Sequence, residues 1–233
     1  MEVIPVIDLM GGEVVHARRG ERAAYRPIET PLAVGSAPAA VLSGLLGLFP
    51  FRKVYVADLD AIAGGSGHEA VLADLAARFP AVEFWVDNGA ATVAAARGWL
   101  ARHPGVLVLG SESQADLSVL TALAREPRLV LSLDFRGEDF WGPPSLLAEV
   151  SHWPARVIAM TLARVGGGAG PDFARLAEIT ARAEGRAVYA AGGVRDAADL
   201  AHLAAAGIAG VLVASALHAG ALDRAALAAA ARS

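Results

Sequence analysis

The sequence predicts an α/β protein built as a single (βα)8 barrel over residues 1–233 with half-barrel pseudo-symmetry, and three observations carry that expectation. Eight short runs rich in aliphatic and β-branched residues alternate with alanine-rich stretches of helical spacing. From the second run onward their starts lie 23 to 31 residues apart, the length of one strand plus one helix. The chain also repeats itself. A shift of 104 residues lays Gly89 on Gly193, Thr92 on Asp196 and Ser111 on Ser215.

In chain order the eight runs are 3–8, 53–58, 82–87, 105–109, 129–134, 156–161, 187–191 and 210–214. Each is almost continuously apolar, as parallel strands covered on both faces must be. Between them, Leu72, Leu75, Ala76 and Phe79 form one apolar helical stripe. Leu176, Ile179 and Ala183 form a second, and Leu200, Leu203 and Ala204 a third. Asp116, Asp172 and Asp196 read as helix starts and Gly207 as a stop, by their short polar side chains and by the backbone freedom of glycine. The connection after the first strand, 9–31, is too polar and too punctuated for a simple turn, and is expected to be a long loop over the active-site mouth. Run one also matches run five at an offset of 126, with Asp8 over Asp134 and Gly11 over Gly137.

Composition narrows the function. The 233 residues are 55% hydrophobic and carry a formal net charge of −4, so no basic field exists to hold a nucleic acid or an anionic membrane. Cysteine is absent, which removes disulfides, thiolate nucleophiles and Cys metal sites. No leader pattern or membrane-length apolar run is visible, and a cytoplasmic location is the expectation. Lys53 is the single lysine and opens its strand, the wrong end of a barrel for Schiff-base chemistry.

Barrel enzymes place their chemistry where the strands end, and here those ends are acidic. Asp8 closes run one, Asp58 and Asp60 run two, Asp87 run three and Asp134 run five. Two glycine-centred segments read as phosphate cradles, since small residues let backbone amides approach an anion. The first contains Gly192 and Gly193 followed by Ala214 and Ser215; the second contains Gly89 followed by Gly110 and Ser111. His16 is a candidate acid because histidine as a residue type exchanges protons near neutrality, Arg18, Arg19 and Arg22 are candidate phosphate clamps, and His68 reads as a helix-start residue. No His pair has metal-ligand spacing, so no metal and no cofactor is expected; the partner is a small phosphorylated metabolite, and no oligomeric state is implied.

The segments IPVIDLMGGEVVH, VYVADLDAI, LVLSLDFRG, AAGGVRDAADL and GVLVASALHAG resemble, in the right order and over nearly the whole chain, the phosphoribosylformimino isomerase of histidine biosynthesis (HisA) and its sister cyclase (HisF). The resemblance implies a βα barrel with two phosphate sites and a cofactor-free Amadori rearrangement, its strand-one base at Asp8 and a second carboxylate at Asp134. The departures are specific. Val165 stands where the isomerase has its strand-six general acid, and Asp87-Asn88-Gly89 replaces a glycine triplet at one phosphate site, where Asp87 would repel the anion. The cyclase's loop lysine has no counterpart between His16 and Arg22. These departures resemble divergent HisA-related proteins of methanogens and methylotrophs that accompany methanopterin- and methanofuran-dependent one-carbon metabolism. The expected function is therefore acid–base chemistry on a small phosphorylated metabolite of phosphoribosyl type, in one-carbon cofactor (methanopterin or methanofuran) metabolism. The alternatives are the histidine-pathway isomerase and a noncatalytic phospholigand-binding barrel.

Overall fold

The computed structural model describes residues 1–17, 21–166 and 168–232, and of Arg22 the backbone only. Eight parallel strands form the barrel: β1 (Glu2–Met10), β2 (Lys53–Asp58), β3 (Glu83–Asp87), β4 (Val106–Gly110), β5 (Leu129–Arg136), β6 (Arg156–Thr161), β7 (Ala187–Ala191) and β8 (Gly210–Val213). Each pairs with its sequence neighbours, and β8 closes on β1 through Glu2↔Gly210 to Pro5↔Val213. This is a TIM barrel, and the eight runs read from the sequence are its strands to within two residues at either end.

The main helices are α1 (Pro38–Leu48), α2 (Glu69–Arg78), α3 (Val93–Arg102), α4 (Ser118–Ala122), α5 (Pro144–Ala148), α6 (Phe173–Arg182), α7 (Ala197–Ala205) and α8 (Arg224–Arg232). The apolar stripes do what their spacing requires: Leu72 and Leu75, Leu176 and Ile179, and Leu200 and Leu203 are buried. Asp172 caps α6 by accepting from the Arg175 N–H, and Asp196 caps α7 by accepting from Ala198 and Asp199. Asp116 sits one residue before the cap position of α4 and accepts from the Ser118 N–H at 2.7 Å. No helix among the described residues is long and apolar enough to cross a membrane.

Segment 9–31 departs from the expected loop. β1 continues to Met10, turns at Gly11 (φ +60°) and Gly12 (φ +82°), and returns as a short antiparallel strand, Glu13–Val15. The departure is explained by Val14 and Val15, which are buried in the two halves of the core and give the returning strand something to pack. The matching turn on β5 is built alike, with Gly137 at φ +60° and Asp139–Phe140 pairing back on β5. The offset of 126 thus reflects two equivalent hairpins.

The core has two layers set by strand alternation. Ile7, Leu9, Val54, Val56, Leu131 and their neighbours face the helices. Ile4, Tyr55, Trp85, Val130, Tyr189 and Leu212 fill the barrel interior. Trp85 is its largest member, fully buried, edge-on to Tyr189 at 4.9 Å, with its Nε1–H donated to Glu83. Lys53 pairs with Glu2 at 2.7 Å and lies 5.6 Å from the Trp85 ring, at the end of the barrel where the strands begin. Replacing Trp85→Ala should cost about 3–5 kcal/mol of stability in a urea unfolding curve, because it removes the largest fully buried side chain of the interior layer and leaves a void; a loss below about 1 kcal/mol would show that the layer collapses.

Candidate active site

Alternation decides which strand-end carboxylates enter the barrel. On β1 the inward residues are Ile4 and Val6, so Asp8 is next inward. Trp85 places Asp87 inward on β3, and Val130 with Ser132 places Asp134 inward on β5. These three line a cavity of about 410 Å³ at the strand ends, together with Tyr55, Glu112 and Trp141. β1 and β5 are four strands apart in either direction, which sets Asp8 and Asp134 across the mouth from one another.

Asp58 obeys the opposite parity. Val54 and Val56 face the helices, and Asp58 follows them outward. Its carboxylate accepts from the His68 backbone N–H at 2.6 Å, from the Ala61 N–H at 3.2 Å and from the His68 ring Nδ1 at 2.8 Å. The other ring nitrogen of His68, Nε2, meets the Gly12 N–H at 2.9 Å and lies 3.3 Å from the Asp60 carboxylate. Asp60 accepts from the Gly11 N–H at 2.8 Å. Asp58, Asp60 and His68 therefore tie the β1 hairpin to the β2 connection, and none of the three lines the cavity.

Asp8 and Asp134 are electrostatically unusual. Burial pushes the Asp8 carboxyl from 3.8 up to about 7. The side chain is partly accessible, but the space it meets is the cavity rather than bulk water, and no described residue donates to it. Burial also pushes Asp134 up to about 7, aided by the charges of Asp87 and Glu112 and opposed by the Ser132 hydroxyl donated at 2.7 Å. Ser111 donates to Asp134 at 3.1 Å and the Glu112 N–H at 3.2 Å, so the carboxylate is rigidly held. The Tyr55 hydroxyl lies 3.4 Å from Asp87, and burial raises it well above the ordinary phenol range, keeping it a proton donor.

The β7–β8 end is different in kind. Gly192 (φ +100°) and Gly193 (φ +91°) adopt backbone closed to other residues, and a Cβ on Gly193 would lie 2.2 Å from the Gly170 carbonyl oxygen. Among the described residues nothing accepts from the N–H groups of Gly193, Val194, Ser215 or Ala216, and all four residues line the cavity. Ala214 lines it too. Arg164 and Arg195 flank this end; Arg195 is anchored on Asp199 at 2.8 and 2.9 Å, and its hydrogen bonds hold that carboxyl below its ordinary value. Such a concave row of unengaged amides beside guanidinium groups suits an anion.

His16 joins this end rather than the Asp8–Asp134 pair: its Nε2 is 3.2 Å from the Ser215 hydroxyl. Beneath it, burial pushes His218 down to about 4, so that ring is neutral, with Nδ1 at 3.1 Å from the Thr30 hydroxyl. Arg18, Arg19 and the side chain of Arg22 lie outside the described residues. Gly89, Gly110 and Ser111 are at the β3–β4 end but do not line the cavity. Val165 lines it, with Cγ2 3.4 Å from the position a Gly192 Cβ would take.

The model of the family described as "Histidine biosynthesis protein" matches residues 2–223. The chain belongs to that family. It is 27% identical over 231 residues to a protein of Methanocaldococcus jannaschii described as uncharacterized, covering 96% of each. It is also similar to imidazole-4-carboxamide isomerases whose names specify two 5-phosphoribosyl groups: that of Halorhodospira halophila is 28% identical over 239 residues (96% of this chain, 94% of the relative), and that of Paracoccus denitrificans 31% over 248 (96% of each). This member of the histidine biosynthesis family is thus a HisA-like barrel, and the match runs through every strand that supplies the cavity.

Sequence reading passed over Tyr55, Arg136, Trp141, Arg164 and Arg195 as cavity residues. For Tyr55 the signal was present, since it shares inward parity with Ala57 on β2. Trp141 and Arg136 stack at 3.4 Å beside a hairpin whose turn the Gly11–Gly137 match marks, but which side chains that hairpin brings to the cavity has no mark in the sequence.

The Asp8 shift sets a pH dependence. Between about 4 and about 7 the folded chain keeps a proton on Asp8 that the unfolded chain has released, so this group's contribution to stability falls as pH rises through that window. Asp8→Asn removes the penalty. The variant should be more stable than the parent near pH 8, by on the order of a few kcal/mol in a urea unfolding curve, and the gap should close toward pH 4. A gap that does not vary with pH would contradict the buried, proton-holding Asp8.

Proposed function

We propose that this HisA-like barrel is an enzyme that moves protons on a small phosphorylated metabolite, with Asp8 and Asp134 as the acid–base pair and the amides of Gly193, Val194, Ser215 and Ala216 as the phosphate holder. The observation that carries the reading is two carboxyls across one cavity, each pushed to about 7, the value at which a group both gives and takes protons near neutrality. An aldose–ketose type isomerisation uses such a pair directly. The ionised carboxylate removes a proton from the carbon next to an imine or carbonyl, and the protonated carboxyl delivers one to the oxygen or nitrogen that gains charge. The family resemblance places the base at Asp8, and the hydrogen-bond donors around Asp134 fix that carboxyl's orientation across the cavity from it.

The relatives' names favour a phosphoribosyl substrate, and the histidine-pathway isomerisation is the second reading. Against it, Val165 cannot deliver a proton at the strand-six position, a loss of about 10²- to 10⁴-fold where a general acid is needed. A step in one-carbon cofactor metabolism accords with that departure. Two measurements test the proposal. Inorganic phosphate should shift the amide resonances of Gly193, Val194, Ser215 and Ala216, and four unmoved resonances would remove the phosphate holder. A strain lacking the histidine-pathway isomerase should not grow on this gene; robust growth would establish the second reading.

A further inference from the structure

Two guanidinium groups border the open amides at the β7–β8 end, and what each is bonded to separates their roles. Arg164 is spent on its own loop, where Nη1 donates to the carbonyls of Ala169, Gly170 and Pro171 at 3.3, 2.9 and 3.4 Å. Arg195 is held differently. Its Nε and Nη2 donate to the two oxygens of Asp199 at 2.9 and 2.8 Å, the parallel fork that fixes a guanidinium in plane and direction. The remaining terminal nitrogen, Nη1, meets no acceptor among the described residues.

The pair is exposed on one side only. The Asp199 side chain is 2% exposed and that of Arg195 51%, so a solute at this end meets the cation and not its partner. Asp172, Asp196 and Asp199, the carboxylates around the arginines, do not line the cavity, whereas Arg164 and Arg195 do. Gly170 sets the guanidinium beside the amides. At φ +81° and with no side chain it leaves room for the Arg195 plane, since a Cβ there would lie 3.1 Å from Cζ and Nη2 and 3.3 Å from Nε. The carbonyl of the same glycine packs behind Gly193, the first residue of the amide row, so one residue is in contact with both. An ordinary surface pair has none of this: Arg78 and Asp74 make the same four-residue pairing on α2 with both side chains more than half exposed.

We propose that Arg195 is a direct ligand of the anion bound at the β7–β8 turns, its Nη1 donating to a phosphate oxygen while Asp199 and Gly170 keep the guanidinium in place. The proposal rests on the phosphate holder of the preceding section. It adds a full positive charge to a row of neutral N–H dipoles, and that charge needs little rearrangement to meet the ligand because the side chain is already ordered by its carboxylate. Arg195 thereby sets the affinity of the site for an anion, and Asp199 acts on the ligand only through it.

The test is a calorimetric titration of the full chain with inorganic phosphate, run on the parent, Arg195→Gln, the double variant Arg195→Gln/Asp199→Asn, and Arg78→Gln. Arg195→Gln should weaken binding by about tenfold or more, the loss expected for one hydrogen bond between charged groups. The double variant leaves no unpaired buried carboxylate to disturb the fold or repel the ligand, and it should still bind at least about fivefold more weakly than the parent, because the donor is missing. Arg78→Gln makes the same single change in net charge far from the cavity and should stay within about twofold of the parent. In the parent the Arg195 Nε–H resonance should move together with the Gly193 and Val194 amides as phosphate is added. A double variant that binds as tightly as the parent overturns the inference and leaves Arg195 as a structural partner of Asp199; an equal loss in Arg78→Gln overturns it too, by showing bulk charge at work. If phosphate gives no heat with the parent and leaves the β7–β8 amides unmoved, the phosphate holder itself has failed, and this inference with it.

Discussion

Closure of β8 onto β1 is the constraint from which the site follows. Once Glu2↔Gly210 through Pro5↔Val213 are paired, no strand has a free edge and every second residue of every strand must point into one enclosed interior. Gly210 makes the approach possible, because a Cβ there would lie 2.7 Å from the Tyr189 ring and 3.1 Å from the Glu2 carbonyl. Large apolar side chains dominate the lower layers, and the carboxylates of Asp8, Asp87 and Asp134 stand at the last inward position, where the interior opens to the cavity.

That placement explains the chemistry. A carboxylate at the last inward layer sits on apolar packing and under a narrow mouth, so its charged form is poorly hydrated and its proton is held to near-neutral pH. A carboxylate one residue out of phase, such as Asp58, faces the helix layer and is consumed in hydrogen bonds to His68 and Ala61. The same residue type thus becomes a proton carrier or a loop tie through strand parity alone. Keeping Asp8 and Asp134 in their places costs folding stability at neutral pH, a cost that active sites commonly carry and that the large interior core offsets.

The half-barrel repeat gives the site its polarity. Two hairpins with the same glycine geometry, at Gly11 and Gly137, descend from equivalent strands, and two strand-end loops, at Gly89 and Gly193, descend from another pair. Duplication makes the halves equal in backbone, and side-chain substitution then makes them unequal in charge. Open amides, Arg164 and Arg195 gather around β6 to β8, and Asp87, Glu112 and Asp134 around β3 to β5, where Arg136 also lines the cavity.

The strand positions, their number and the acidic strand ends were all present in the sequence, because apolar runs at βα spacing have one common solution and terminal residues are adjacent to the runs that define them. Asp8, Asp87 and Asp134 were legible for that reason, and even their inward direction followed from alternation. What tertiary structure alone decided was which groups meet. That His16 lies on Ser215, that His68 binds Asp58 and Gly12, and that the Glu112 amide is already occupied are contacts between residues 10 to 199 positions apart. Their partners are set by barrel curvature and by hairpins folding back over the mouth, and local sequence pattern carries no record of either.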